Sequence, residues 1–468
     1  MKNLILIFYL IFTGNILFAQ TQNHEAAIQN FQLNYNSENY EVIFNSFSPK
    51  MKEALPLTTM TAFLKELKTQ AGTIETTKFI KFHKETYALF KTKFKNAVLA
   101  INISLNDSNK INGLYIERFH EITNEKATEM KKEAINSLIK YPKGIADNIF
   151  KYCKDFPNNT QLSIAIIKNG ETNYYGILKS NDSIKVIQNE NKVFEIGSIT
   201  KVFTATVLAA LVEEKKLKLK NNINSFYSFS FKNNIKITFE SLANHTSGLP
   251  RLPNNFKISD TANPYKDYDE KKLNHYLKKE LKLEHKALEQ YTYSNLGAGL
   301  LGYTLGLSQK TSFQKLLQSM VFDKYGMHHS FTSAHGLKEE LVMGLNENGK
   351  HTSNWDFQSL FGAGGILSTT SDLAKFAIAQ FDPNNIALTL TTTPTFSIDD
   401  KMDIGLGWHI LKSDNDVQEV WHNGGTAGYS SSMIINKNEK SAVIILSNVS
   451  GFHPKNGNID LLSFALIE

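Results

Sequence analysis

Apolar and polar positions change period along the chain, and the changes divide it. Between residues 25 and 70 apolar residues recur at helical spacing, interrupted at Ser48-Pro49 and Leu55-Pro56, which predicts short helices. From Thr73 to Arg118 the period drops to two. Ala97, Leu99, Ile101, Ile103 and Leu105 carry that alternation most clearly, and NDSNKING separates two such runs as a turn, so a meander of about four antiparallel strands is expected. Helices followed by such a meander describe a small α+β domain over residues 22–120. The charged stretch 121–140 is expected to be a helical connector, and Tyr141-Pro142 marks the start of a second domain, 141–468.

In that domain a helix ends near Phe156, before Pro157. A strand over Gln161–Lys168, a turn at Asn169-Gly170 and a second strand from Asn173 follow as a hairpin. Next comes FEIGSITKVFTATVLAALVEE, Phe194–Glu214, where Val202, Phe203, Val207, Leu208, Leu211 and Val212 place apolar side chains on most sides of a helix. After a long helical and loop-rich middle, the chain closes with strand-like segments at Ile404–Leu411, Gln418–His422, Ser430–Asn436 and Ser441–Leu446. Strands at both ends with helices between predict an α+β domain whose antiparallel sheet is assembled from distant segments and covered by a helical lobe.

A length of 468 residues suits two or three domains, and 41% hydrophobic with 21% charged residues is enough for sizeable cores. The formal charge of +6 is spread among interspersed acids and lysines, which leaves no nucleic-acid footprint. Arginine occurs twice, at Arg118 and Arg251, so bidentate recognition of a carboxylate or phosphate is confined to very few places. Residues 1–19, with Lys2, an apolar run from Leu4 to Phe12, a Thr-Gly-Asn break and Ala19, read as a cleaved secretory signal peptide, leaving no transmembrane domain in the mature chain. The lone Cys153 has no internal disulfide partner and is expected to pack in its helix. Export without disulfides fits a bacterial periplasm or secretion.

Gly197 and Ser198 stand at the start of the apolar helix, and Lys201, three residues on, shares a face with Ser198. A lysine buried there loses solvation of its ammonium form and becomes a base, while the helix N-terminus favours negative charge beside the serine. The SxxK spacing occurs three times, but Ser137–Lys140 and Ser312–Lys315 lack the preceding glycine and read as surface pairs on amphipathic helices. Tyr293-Ser294-Asn295, the only YxN, begins a small-residue helix, and His422-Asn423-Gly424, the only HxG, ends a strand before Gly425. Alone, the first would be a helix cap and the second a turn. His245 is expected to bond within its own loop, and His328-His329 to be an exposed pair. No HExxH or comparable cluster is present, so neither a metal nor another cofactor is expected.

Taken in order, Ser198 with Lys201, Tyr293 with Asn295, and His422 with Gly424 resemble the three active-site motifs of the serine β-lactamase and penicillin-binding superfamily, in its class C, DD-peptidase and esterase branch. The resemblance runs from about Gly144 onward and includes ITFESLANHTSGLP, FGAGGILSTTSDLAKF and GLGWHI. The first domain resembles NTF2-like modules, with a packing or dimerising role expected ahead of ligand binding. The superfamily resemblance implies that Ser198 is the nucleophile and that Lys201 takes its proton. It implies that Tyr293, lowered toward phenolate, serves the leaving group, and that Asn295 orients Lys201 and bonds the substrate amide. It also implies that the backbone N–H groups of Ser198 and Gly425 form the oxyanion hole, with His422 and Gly424 lining the substrate site.

His422 and Asn423 replace the lysine and threonine of β-lactamases of that branch. A histidine, about one quarter protonated at pH 7, attracts a carboxylate weakly, and Asn423 removes a hydroxyl that contacts it in relatives. The expected function is therefore an exported hydrolase of a peptide, amide or ester, acting on a small-molecule or peptidoglycan-type substrate. A β-lactamase acting on penicillins or cephalosporins, and a slowly deacylating penicillin-binding sensor, are the alternatives. The oligomeric state is left open.

Overall fold

The computed structural model describes residues 22–83, 87–119, 134–337, 339–412 and 418–468. Contacts divide the chain into two units, Met1–Met130 and Lys131–Glu468. Residues 1–19, read as a signal peptide, lie outside the described residues.

In the first unit, helices α1 (22–36), α2 (Tyr40–Asn45), α3 (Pro49–Ala54) and α4 (Leu57–Ala71) precede strands β1 (Ile74–His83), β2 (Tyr87–Phe94), β3 (Val98–Leu105) and β4 (Ile111–Arg118). The strands form one antiparallel sheet in sequence order. Ser48-Pro49 interrupts one helix because it starts the next: Ser48 Oγ accepts from Met51 N at 3.1 Å, and proline costs nothing at the first helical position. Phe31, Tyr35 and Phe47 pack with Phe90, Phe94, Ile101 and Ile103 as the core.

The second unit begins with β5 (Ile135–Ser137), which corrects the expectation of a helical connector for the described part of 121–140. Residues 120–133 are outside the described set. β5 pairs in parallel with β8 (Ser183–Ile187), and Ser137 Oγ lies 2.9 Å from Ser183 Oγ, so the pair Ser137–Lys140 is not on a helix. A three-residue strand is too short to show a period, and pairing with a distant strand decided its conformation. After α5 (Lys143–Cys153) come β6 (Gln161–Lys168) and β7 (Glu171–Ser180), then β8, a third strand that the hairpin reading did not include. β9 (Phe194–Glu195), α6 (Thr200–Glu213), α7 (Phe239–Ala243), α8 (Asn295–Ser308), β10 (Leu367–Ser368) and α9 (Thr370–Ala379) supply the lobe. β11 (Phe396–Asp399), β12 (Met402–Ile404), β13 (His409–Lys412), β14 (Gln418–Gly425), β15 (Ser430–Asn436), β16 (Ser441–Ser447) and α10 (Asn458–Ile467) complete the unit.

The large sheet runs β11-β12-β13-β14-β15-β16-β6-β7-β8-β5, antiparallel except for its last pair. Strands β6, β15 and β16 are buried on both faces; this explains the near-continuous apolar runs of β6 and β16, whereas β15, SSSMIIN, buries three serines before its apolar residues. Leu162, Ile164, Ile166, Ile434, Val443 and Ile445 pack with residues of α5 and α10, whose Cys153 is buried among them. Ala165, Ile167, Met433, Ile435, Ile444 and Leu446 face the lobe and α6. Because the lobe closes over α6 as well, Thr200–Leu211 are all buried, and Phe203 meets Phe376 with ring centroids 4.5 Å apart. A helix enclosed on every side needs no polar face, which is what its sequence shows. Among the described residues no helix is long and apolar enough to cross a membrane.

Candidate active site

The nucleophile turn is built by β9 and a 3-10 turn, Gly197–Ile199, that runs into α6. Gly197 has φ +51°, and a Cβ there would stand 2.7 Å from Gly425 N, so the position requires glycine for conformation and for space. Ser198 remains partly exposed while its neighbours are buried. Lys201 is 2% exposed, with Nζ 3.0 Å from Ser198 Oγ and 2.7 Å from the Ala363 carbonyl that it donates to. Burial first, then the Arg251 charge, holds Lys201 well below the ordinary lysine range. A neutral amine has two hydrogens and one lone pair. One hydrogen goes to Ala363, and the lone pair is free to accept the Ser198 proton.

Tyr293 and Asn295 are placed by the loop that contains His245 to Arg251. Ser294 caps α8 by accepting from Gly297 N at 2.8 Å and donates to the Pro250 carbonyl at 2.6 Å; Leu296 N donates to the Arg251 carbonyl at 3.0 Å. The Tyr293 hydroxyl is hydrogen-bonded to Ser198, and Lys201 Nζ lies 4.8 Å from the Tyr293 ring centroid. Burial outweighs the Ser198 bond and the Arg251 charge and pushes Tyr293 up to about 12. The free site therefore holds a neutral phenol, which corrects the expected shift toward phenolate. Asn295 is also differently engaged. Its Nδ2 donates to Tyr265 Oη at 2.8 Å and its buried Oδ1 has no partner among the described residues, while the hydrogen bonds of Lys201 go to Ser198 and Ala363. Asn295 does not orient Lys201 in this structure.

On β14, His422 and Asn423 point to opposite faces, as adjacent strand residues must. The His422 ring lies 6.3 Å from that of Tyr293 and 5.2 Å from that of His409. Asn423 Nδ2 donates to Asp460 of α10 at 2.8 Å, on the other side of the sheet. Its side chain does not stand where a threonine hydroxyl would meet a substrate carboxylate, and the sequence reading of that position is corrected. His422 Nδ1 lies 2.6 Å from the Asn423 carbonyl, so Nδ1 carries the proton and the buried Nε2 is a lone-pair acceptor with no partner among the described residues. Burial, then His409 and Lys201, hold this imidazole well below the usual histidine range, so it is neutral rather than one quarter charged.

Gly424 packs directly on the nucleophile turn. A Cβ there would fall 2.1 Å from Ile196 O, 2.5 Å from Ser431 Oγ and 2.9 Å from Ser198 N. The approach is pinned by Ser431 Oγ donating to the Ile196 carbonyl at 2.8 Å. The structure thus brings Ser198, Lys201, Tyr293, His422, Gly424 and Gly425 together, with Asn295 turned to Tyr265.

Sequence reasoning left His245 outside the site, but it belongs to the same cluster. Its buried ring lies 4.6 Å from that of Tyr293, Nδ1 accepts from Ser294 N at 3.2 Å, and the buried Nε2 has no partner among the described residues. Burial, then the nearby Lys201, keep it neutral. The signal was available, since HTSGLP was part of the resemblance. His409 was also missed; its Nε2 is 2.9 Å from Tyr291 Oη. Tyr265 and Arg251 arrive on loops and Ala363 at the end of a short 3-10 turn, none with a period to read. His328 and His329 are exposed. Glu195, three residues before the nucleophile, is buried and pushed up to about 7 by that burial, while Asn354 Nδ2 and Trp355 N each donate to it at 2.8 Å. Among the described residues no three His, Cys, Asp or Glu side chains lie close enough to hold a metal ion.

A family model described as beta-lactamase matches residues 155–464, and one described as a protein of unknown function, DUF3887, matches residues 29–114. A beta-lactamase of Pseudomonas fluorescens is 29% identical over 257 residues, 53% of this chain and 69% of that protein. Protein flp of Staphylococcus aureus is 24% identical over 316 residues, 63% of this chain and 60% of flp, so the alignment leaves a substantial part of flp unmatched. The fold is similar to that of a beta-lactamase/D-alanine carboxypeptidase from Pseudomonas syringae, with a TM-score of 0.59 at 20% identity, over 69% of this chain and 97% of the other. An octameric penicillin-binding protein homologue from Pyrococcus abyssi superposes with a TM-score of 0.56 at 21% identity, over 69% of this chain and 76% of the other.

Proposed function

The chain belongs to the beta-lactamase family, and from that premise we propose that it is an exported, periplasmic serine hydrolase that cleaves a peptide, amide or ester through an acyl-serine on Ser198. The observation that carries the reading is the buried Lys201 Nζ 3.0 Å from the Ser198 hydroxyl, its other hydrogen bond fixed on Ala363 and its ammonium form disfavoured by burial. Ser198 Oγ attacks the substrate carbonyl carbon as its proton passes to Lys201 Nζ. The oxyanion forms against the N–H groups of Ser198 and Gly425, each such donor being worth about 2.7–4 kcal/mol to the transition state. The leaving group takes a proton from the Tyr293 phenol, and the Lys201 ammonium restores it. Water then attacks the acyl-serine and releases the acid.

The neutral His422 supports a peptide or ester ahead of a penicillin or cephalosporin. A lysine there would offer a full charge to the carboxylate of a β-lactam, whereas this imidazole presents a lone pair. Intact-protein mass spectrometry tests the reading, with timed exposure to a short-chain ester, a D-alanyl-D-alanine peptide and a penicillin. An adduct or product that disappears in Ser198→Ala is expected, and its lifetime separates a hydrolase from a slowly deacylating sensor. Wild type and Ser198→Ala behaving alike on all three would overturn the reading.

A further inference from the structure

We infer that Arg251 docks a carboxylate of the substrate at the rim of the Ser198 site. The inference rests on the acyl-serine reading and narrows its substrate class to acyl compounds that carry an anionic group a few bonds from the scissile carbonyl. The Arg251 backbone is fixed to the catalytic elements, its carbonyl accepting from Leu296 N at 3.0 Å and the carbonyl before it from Ser294 Oγ at 2.6 Å. Its guanidinium carbon lies 5.3 Å from the Tyr293 ring centroid. Because the Tyr293 hydroxyl bonds Ser198, the guanidinium stands no more than about 12 Å from the Ser198 oxygen.

The charge on this group is unspent. Arg251 is exposed, and among the described residues it has no carboxylate within 4.0 Å and no side-chain hydrogen bond. The polar side chains deeper in the site offer an anion little. Lys201, His245, His409 and His422 are all held toward their neutral forms. An anionic substrate therefore meets a full positive charge at Arg251 instead of at the strand position occupied by His422. A guanidinium fork matches the two oxygens of a carboxylate bidentately, and one such fork balances a monoanion, where a phosphate dianion would be left half compensated. Stacking on Tyr293 limits the rotamers that the long side chain must give up when the ligand arrives.

The test compares p-nitrophenyl hydrogen glutarate with its neutral methyl ester on wild type, Arg251→Gln, Arg251→Lys and Ser198→Ala. The readout is the ratio of kcat/KM for the anionic over the neutral ester. Removing a cation beside Lys201 and Tyr293 alters acylation of both esters alike, so the ratio isolates docking from any effect on the chemistry. In Arg251→Gln the ratio is expected to fall about 10- to 100-fold, the range of a lost charge-assisted hydrogen-bond pair, with Arg251→Lys between. A ratio in Arg251→Gln within about twofold of wild type, while Ser198→Ala is inactive, would overturn the docking role and leave the acyl-serine reading standing. Turnover of neither ester in a Ser198-dependent way would overturn both.

Discussion

Gly424→Ala is the sharpest probe of how the strand and the nucleophile turn make the site. The added methyl would fall 2.1 Å from Ile196 O and 2.9 Å from Ser198 N, whereas non-bonded contacts settle near 3.5 Å, so the two backbones must part by about 1 Å. Neither can do so freely. Ile196 N donates to the Ile366 carbonyl at 3.1 Å, Ile196 O accepts from Ser431 Oγ at 2.8 Å, and Gly424 is held opposite Ser431 in the ladder. Overpacking of this kind costs about 1–3 kcal/mol of stability, and a displacement of about 1 Å beside the reacting atoms costs on the order of 100-fold in rate. Urea unfolding and the rate of Ser198 acylation by an activated ester measure the two effects. Gly457→Ala is the control, since a Cβ there meets nothing within 4 Å. If Gly424→Ala acylates within about threefold of wild type and unfolds within about 0.5 kcal/mol of it, close packing of these backbones is not what sets the geometry.

Two further perturbations test the electrostatics and the strand. His409 is held at about 4 by burial, below the 6.5 of an unfolded histidine, so the unfolded chain binds the proton first on acidification. Its contribution to stability is complete above about pH 6.5 and is lost as pH falls toward about 4, at about 1.4 kcal/mol per pH unit and about 3 kcal/mol in all; unfolding curves of His409→Gln should lack that slope. Asn423→Thr should leave the ratio of anionic to neutral ester activity within about twofold of wild type, because the side chain faces Asp460, and should cost about 1–3 kcal/mol of stability by leaving that half-buried carboxylate short of a donor. A rise in the ratio would mean that the side chain reaches the substrate.

Much of the site was legible because its signals are local. Ser198 and Lys201 meet within one helical turn, and the β6–β7 hairpin follows from two apolar runs and an Asn-Gly turn. What could not be read are contacts made across long separations. Tyr265 claims Asn295 from 30 residues away, Asp460 claims Asn423 from 37, and the Ala363 carbonyl holds Lys201 from 162. No periodicity marks those partners. The direction of the Tyr293 shift likewise depends on depth of burial, which outweighs the nearby charge, and a list of neighbours cannot give depth. The opposite orientation of His422 and Asn423 was readable from the strand period alone, and there the departure from relatives was weighed by residue type without regard to which face it occupies.

The position of β6 between β7 and β16 has a consequence for biosynthesis. Gln161 N donates to Asn448 Oδ1 across 287 residues, and closing a loop of that length costs about 5 kcal/mol in chain entropy before any contact is returned. While the intervening lobe is being made, LSIAII of β6 has an open edge on the side that β16 will occupy, an uncharged and proline-free run of the kind that pairs with other chains. A nascent chain that has not yet reached Ser441 is therefore a client for a holding chaperone, and a fragment ending there would be an aggregating intermediate with the nucleophile and its base present and the sheet split in two where β16 is missing.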